Sequence, residues 1–295
     1  MNLDQKKVDA IIRSALKEDI GKVDITSKAV ISRSCMVDGV IISRQKAVIC
    51  GMDIIERIFT LTDKNLKFRP EVKDGDIIVP DQRIACIEGS AVSLLKAERT
   101  ALNFLAFLSG TATAAREIAD KVKDSNVKVY DTRKTVPLNR YFQKYAVRVG
   151  GGINHRQGLW DMVLIKDNHI RAFEMQNKNK EQKDIITGII QRARASVQKN
   201  IRIEIEVESL KECEYALEAC PDVIMLDNMN PGQIRKAVEL RKQQGLEKKV
   251  LFEVSGGITL ANVSDYADTG IDIISTGSIT ASVKSVDFSL KVIFK

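Results

Sequence analysis

Between residues 131 and 171 stand Arg133, Lys134, Arg140, Lys144, Arg148, Arg156, Lys166 and Arg171, eight cations against Asp131, Asp161 and Asp167, and both histidines, His155 and His169, share the stretch. Cations packed this densely repel one another unless an anion or neighbouring acids neutralise them, so the pattern points to a pocket for an acidic ligand. A single Lys or Arg is more often a solvated surface charge. Arg133, Lys134 and Lys166 stand apart because each follows an apolar run that reads as a buried strand. Arg presents a fork and Lys a compact charge, so together they suit a ligand with more than one anionic group. His155 and Arg156 follow Gly150-Gly151-Gly152, where backbone can approach a ligand closely. His155 could hydrogen-bond a carboxylate or a ring nitrogen, whereas His169 reads as a packing or supporting residue.

Acids and glycines complete the set. In Ile201-Arg202-Ile203-Glu204-Ile205-Glu206-Val207-Glu208 the alternation puts Arg202, Glu204, Glu206 and Glu208 on one face of a strand. On a free sheet that face is solvated; in a barrel it lines a polar lumen, and Glu206 then pairs with Asp227 on the next strand end. Two hard oxygen ligands suit Mg²⁺ that keeps waters and is completed by substrate oxygens. They could equally stabilise positive charge developing on a sugar ring. Ser255-Gly256-Gly257 and Ser275-Thr276-Gly277 each follow a strand and are expected to open a helix, which would make both of them phosphate-binding turns.

These residues need elements to hold them. Val8, Ile11, Ile12 and Leu16 recur at helical spacing within residues 4–18, and Gly21 supplies a turn. Residues 37–95 read as short β-prone runs separated by turns such as Asp74-Gly75-Asp76, an N-terminal sheet domain. Leu94 to Val122 reads as a helix with a break near Gly110. Six apolar runs then end in polar or glycine clusters: Val127–Tyr130, Met162–Ile165, Ile201–Val207, Val223–Leu226, Val250–Phe252 and Ile271–Ile274. Their spacing of roughly 20 to 40 residues, with helical sequence in several intervals, predicts repeated βα units and a parallel sheet, closed or nearly closed as a barrel. Chemistry in such a barrel collects at the carboxyl ends of the strands, where the polar clusters fall.

Composition limits the alternatives. At 295 residues, with 44% hydrophobic content, the chain suits about two globular domains and not a disordered state. Its 46 Lys and Arg against 39 Asp and Glu leave +7, but aromatics are only 5% and no zinc finger or RNP-type motif is present, so an acidic metabolite is favoured over nucleic acid. Cys35, Cys50, Cys86, Cys213 and Cys220 lack metal-ligand spacing and read as reduced thiols. No signal core or membrane-length apolar segment is present, so a soluble cytoplasmic protein is expected.

The segments Glu98-Arg99-Thr100-Ala101-Leu102-Asn103, Asp131-Thr132-Arg133-Lys134-Thr135, Lys144-Tyr145-Ala146-Val147-Arg148, Gly150-Gly151-Gly152-Ile153-Asn154-His155-Arg156, Leu164-Ile165-Lys166-Asp167-Asn168-His169, Glu204 to Glu208, Met225-Leu226-Asp227-Asn228 and Ser255-Gly256-Gly257 together resemble the quinolinate phosphoribosyltransferase family. Near the N-terminus, Glu18-Asp19-Ile20-Gly21 with Asp24-Ile25-Thr26 looks like the same family, so the likeness spans nearly the whole chain in order.

The resemblance implies an α/β protein: an N-terminal α+β sandwich-like domain over 1–112, an open parallel α/β barrel over 113–277, and a C-terminal segment, 278–295, packing back on the first domain. It implies a homodimer with a shared active site, or a higher oligomer, in which one subunit's N-terminal domain covers its partner's barrel mouth. The activity implied is transfer of a phosphoribosyl group from phosphoribosyl pyrophosphate to quinolinate with Mg²⁺. The products would be nicotinate mononucleotide, pyrophosphate and CO₂, in de novo NAD biosynthesis. By position, Arg133, Lys134, His155, Arg156 and Lys166 would hold the quinolinate carboxylates and part of the donor, with Arg99 reaching in from the neighbouring subunit. Glu206 and Asp227 would act near the metal, directly or through water, and near the ribose. Ser255, Gly256, Gly257, Ser275 and Gly277 would hold the 5′-phosphate. Lys134, Lys166, Glu206 and Asp227 form the implied catalytic group. Two departures stand out: Val136-Pro137-Leu138-Asn139-Arg140 lacks the family's usual glycine at 138, and Ala281 replaces a usual histidine. They motivate one other reading, a non-catalytic ligand-binding relative; a related transferase with a different acceptor is a further alternative, against which the intact Lys166-Asp167-Asn168-His169 argues.

Overall fold

In the computed structural model, which describes residues 3–293, the Asp4 carboxylate accepts the Lys6 N–H at 3.0 Å and caps α1 (Gln5–Ile20). Gly21, with φ 58°, ends that helix, and Val8, Ile12 and Leu16 form its buried stripe. Asp24 caps α2 (Ile25–Val30) by accepting the Ser27 N–H at 3.0 Å. The chain divides into two units, Met1–Ala114 together with Val283–Lys295, and Ala115–Ser282.

In the first unit β1 (Met36–Ser43) and β2 (Ala47–Val48) are followed by α3 (Met52–Thr62), β3 (Lys67–Pro70), β4 (Ile77–Ile78), β5 (Arg83–Ser90) and α4 (Ala91–Lys121). β5 pairs antiparallel with β1 on one side and β3 on the other, setting Val40 opposite Cys86 and Phe68 opposite Ile87. β2 and β4 make a separate two-stranded sheet. The β-prone reading of residues 37–95 overlooks α3, whose Ile54, Ile55, Ile58 and Phe59 are buried at helical spacing. The expected break in α4 is also absent. Gly110 serves a close approach instead, since a Cβ there would stand 2.2 Å from the carbonyl oxygen of Lys284.

The second unit strings its strands between helices: β6 (Lys128–Tyr130), α5 (Arg140–Val149), β7 (Val163–Ile165), α6 (Asp167–Gln176), α7 (Gln182–Ser196), β8 (Ile203–Val207), α8 (Leu210–Ala219), β9 (Val223–Asp227), α9 (Pro231–Gln243), β10 (Leu251–Ser255), α10 (Val263–Ala267), β11 (Ile273–Ser275) and α11 (Ser278–Ala281). The six strands pair in parallel in the order β6-β11-β10-β9-β8-β7. All six predicted runs are therefore strands of one parallel sheet, and β6 and β7 stand at the two ends of its order, as in an open α/β barrel. Buried Val129, Phe142, Ile205, Ile224, Phe252, Val254 and Ile274 fill the core, each worth about 1.5–3 kcal/mol of transfer free energy. The chain then returns to the first unit, where β12 (Phe288–Ile293) pairs antiparallel with β1. Among the described residues no helix is long and apolar enough to cross a membrane.

Candidate active site

At the carboxyl ends of the barrel strands lies a cavity of about 450 Å³. Arg133 and Lys134 reach it from the segment after β6, His155 and Arg156 from the loop after α5, and Lys166 from the end of β7. Glu206 of β8, Asp227 of β9, Glu253 and Ser255 of β10 and Ser275 of β11 complete the wall, with Gly256 and Gly257. These residues converge because parallel pairing stacks the strand ends in register: Ser255 lies opposite Asp227, and Glu206 and Glu253 both lie opposite Met225. A larger groove of about 600 Å³ runs along β7, α6 and α7, but its lining is mainly apolar and carries little of this chemistry.

The cationic side of the cavity has unmet bonding capacity. Arg133 Nε and Ser275 Oγ are buried without a hydrogen-bond partner, which costs free energy that a polar ligand could return. Burial and then the charge of Arg133 pull Arg156 below the usual guanidinium range, the response expected of a cation awaiting an anion. Lys166 Nζ is paired with the Glu206 carboxylate. The Lys166 N–H donates to Nδ1 of His169 at 2.9 Å, so His169 fixes the start of α6 and with it the position of Lys166. Burial, followed by the negative charge of Glu206, raises the Asp227 carboxyl above the ordinary range. A cation between these two acids would relieve that repulsion, and their hard oxygen donors fit Mg²⁺.

A buried cluster that includes part of the cavity wall was not foreseen. His155 Nε2 lies 3.0 Å from Glu204 Oε2 and 3.5 Å from Glu253 Oε2, and both acids are shielded from solvent. Burial and then the charge of Glu253 push Glu204 upward. The three donor atoms lie close enough to hold a metal. However, the Arg156 N–H donates to His155 Nδ1 at 2.9 Å, which leaves the ring proton on Nε2, where a metal would have to bind. The cluster is therefore hydrogen-bonded. Its sequence signal was available: Glu204 and Glu253 each interrupt an apolar strand run, and the alternation had already put Glu204 beside Glu206.

Other singled-out residues lie elsewhere. Lys144 is buried against Asp131, and Arg148 donates to Asn154. Arg140 braces the segment after β6, donating from Nε to Thr135 Oγ1 at 3.1 Å and from a terminal nitrogen to the Arg133 carbonyl at 3.4 Å. The three glycines at 150–152 close the turn after α5, Gly152 N–H to Val147 O at 2.9 Å, and do not line the cavity. Arg99 is exposed on α4 and is not among the lining residues. Gly277 packs against the Lys134 side chain instead of lining the wall. The turn at 255–257 does not lead straight into a helix, since α10 begins only at Val263. With Gly256 and Gly257 at φ 94° and 63°, backbone N–H groups of the turn itself, not a helix end, are what it offers an anion.

Comparison with known proteins matches residues 24–109 to the quinolinate phosphoribosyl transferase N-terminal domain and residues 111–291 to the corresponding C-terminal domain. The chain is 40% identical over 287 residues to a Methanocaldococcus jannaschii protein named "Probable nicotinate-nucleotide pyrophosphorylase (carboxylating)", covering 96% of each chain. It is 37% identical over 284 residues to the nicotinate-nucleotide pyrophosphorylase (carboxylating) of Mycobacterium leprae, covering 95% of each. Among solved structures, NadC from Streptococcus pyogenes superposes with a TM-score of 0.89 at 37% identity over 100% of both chains.

Proposed function

This chain belongs to the quinolinate phosphoribosyltransferase family, and from that premise we propose how its cavity carries out the reaction. The chain is a decarboxylating phosphoribosyltransferase of NAD biosynthesis: quinolinate and phosphoribosyl pyrophosphate give nicotinate mononucleotide, pyrophosphate and CO₂. The observation that carries the residue assignment is the meeting of Arg133, Lys134, Arg156 and Lys166 in one cavity where Arg133 Nε is buried and unpartnered.

Arg133, Arg156 and Lys166 hold the two quinolinate carboxylates, with His155 behind them, its ring oriented by Glu204 and the Arg156 N–H. Lys134 reaches the donor pyrophosphate. Ser255, Gly256, Gly257 and Ser275 hold the 5′-phosphate, the hydroxyl of Ser275 being otherwise unpartnered. As the ring nitrogen attacks the anomeric carbon and the bond to pyrophosphate breaks, positive charge grows on the ribose; Glu206 and Asp227 face that charge while the cations face the leaving group. The C2 carboxylate then leaves as CO₂, its bonding pair stays on C2 beside the ring cation, and that pair takes up a proton. Glu206 and Asp227 would hold Mg²⁺, directly or through water, and the ion when bound neutralises donor phosphate oxygens.

The reading extends to a homodimer in which Arg99 of the partner subunit completes the site, supported by the exposure of Arg99 on α4. It also places the enzyme in the cytoplasm, supported by five cysteines that are all unpaired. A screen of pyridine and benzene carboxylic acids as acceptors tests the substrate: turnover confined to quinolinate supports the assignment, and preference for another acid removes it.

A further inference from the structure

The segment carrying Arg133 and Lys134 and the turn carrying Ser275 and Gly277 are tied together by one buried amide. Gln143, on α5 and fully shielded from solvent, accepts the Val136 N–H at Oε1 (2.8 Å) and donates from Nε2 to the Thr280 carbonyl (2.6 Å). Thr280, itself buried on α11, returns a bond by donating its hydroxyl to the Lys134 carbonyl at 2.7 Å. A Cβ on Gly277 would stand 3.0 Å from Lys134 Cδ, although the backbone there (φ −77°) is one any residue adopts. Glycine at 277 therefore makes room for Lys134. Neither Gln143 nor Thr280 lines the cavity.

The tied segment is also under strain. Leu138 sits at φ 64°, exposed and without the glycine that this backbone favours, a conformation costing roughly 1–2 kcal/mol. Such a residue persists only where surrounding bonds hold it, so the arm at 132–139 is an element whose position depends on its ties. An anion seated on the turn at 275–277 would immobilise Thr280, and through it the arm.

Building on the substrate assignment above, we propose that Gln143 and Thr280 are positioning residues that couple the two subsites, so that a phosphate on the donor turn holds the arm that carries Arg133 in place for the acceptor. Because coupling is reciprocal, each ligand tightens the other.

The test uses the full chain, with ribose 5-phosphate as the donor-side probe. Amide hydrogen exchange over residues 132–139 should slow on adding ribose 5-phosphate, and the quinolinate Kd should tighten by about fivefold or more. Thr280→Val, which keeps the shape and removes the hydroxyl, should bring both effects to about onefold, and Thr280→Ser should restore them. Absence of protection in the wild type, or its survival in Thr280→Val, overturns the coupling. Protection of the arm by ribose 5-phosphate without any binding of quinolinate supports the coupling and overturns the acceptor assignment alone.

Discussion

Lys144 donates its ammonium to the carboxylate of Asp131 inside the barrel wall, with neither side chain in contact with solvent. Asp131 also accepts the Asn154 amide at 2.7 Å and the His155 N–H at 2.8 Å, so this one acid at the end of β6 fixes the loop that presents His155 and Arg156. Burial pushes Asp131 up and Lys144 down, each opposed by the partner's charge. Lys144→Met should leave that acid buried without its cation and lower stability by about 3 kcal/mol. Urea unfolding at pH 7 measures this; a loss below about 1 kcal/mol would show the pair to be dispensable.

Arg133 presents the opposite case, a cation whose Nε has no partner to lose. Arg133→Ala should weaken quinolinate binding by about 1.5–3 kcal/mol, roughly 10- to 150-fold, and leave the unfolding midpoint unchanged. Calorimetry showing unchanged affinity would remove Arg133 from the acceptor site.

Leu138 occupies a left-handed conformation that costs a branched side chain more and glycine nothing. Leu138→Gly should stabilise the protein by roughly 0.5 kcal/mol, the relieved strain less the added freedom of the unfolded chain, whereas Leu138→Val should destabilise it by about 1 kcal/mol. Thermal unfolding should rank the proteins Gly, Leu, Val from most to least stable; any other order contradicts the strain.

Arg57 donates to both oxygens of Asp9 at 2.7 and 2.6 Å, linking α3 to α1, and holds the Asp9 carboxyl down at about 2. A depressed folded-state pKa adds stability above the unfolded value near 4, and that stability is lost as pH falls toward 2. The pair is partly exposed, so Arg57→Met should cost only about 1 kcal/mol at pH 7. Urea unfolding from pH 7 to 2.5 should show the gap between the two proteins closing below about pH 4; a gap independent of pH would contradict the pairing.

If the site is shared between subunits, Arg99→Ala and Lys134→Ala chains, each inactive alone, should regain about a quarter of wild-type activity when mixed at equal amounts and allowed to exchange, because half the dimers are hybrid and carry one intact site of two. No recovery after demonstrated exchange would place Arg99 outside the site.

Sequence revealed most where physics acts locally. The runs ending at Ile165 and Leu226 read as strands because buried parallel strands need continuous apolar sequence, those ending at Tyr130 and Val207 because apolar and polar residues alternate along them, and the polar clusters after all four had to fall at the strand ends. Long-range contacts were not legible. Gly110 looked like a helix break because its neighbour, Lys284, lies 174 positions away in sequence. Lys144 looked like one more pocket cation because nothing local marks Asp131 as its buried partner. Glu253 sat unnoticed in a strand until the register set it in the same layer as Glu206.

The most direct measurement incubates the purified chain with quinolinate and phosphoribosyl pyrophosphate, with and without Mg²⁺, and quantifies nicotinate mononucleotide, pyrophosphate and CO₂. The three products should appear in equal amounts, and only when quinolinate and Mg²⁺ are both present. Folded, dimeric protein that forms none of them, or that releases pyrophosphate without CO₂, would contradict the assignment of this cavity to decarboxylating phosphoribosyl transfer.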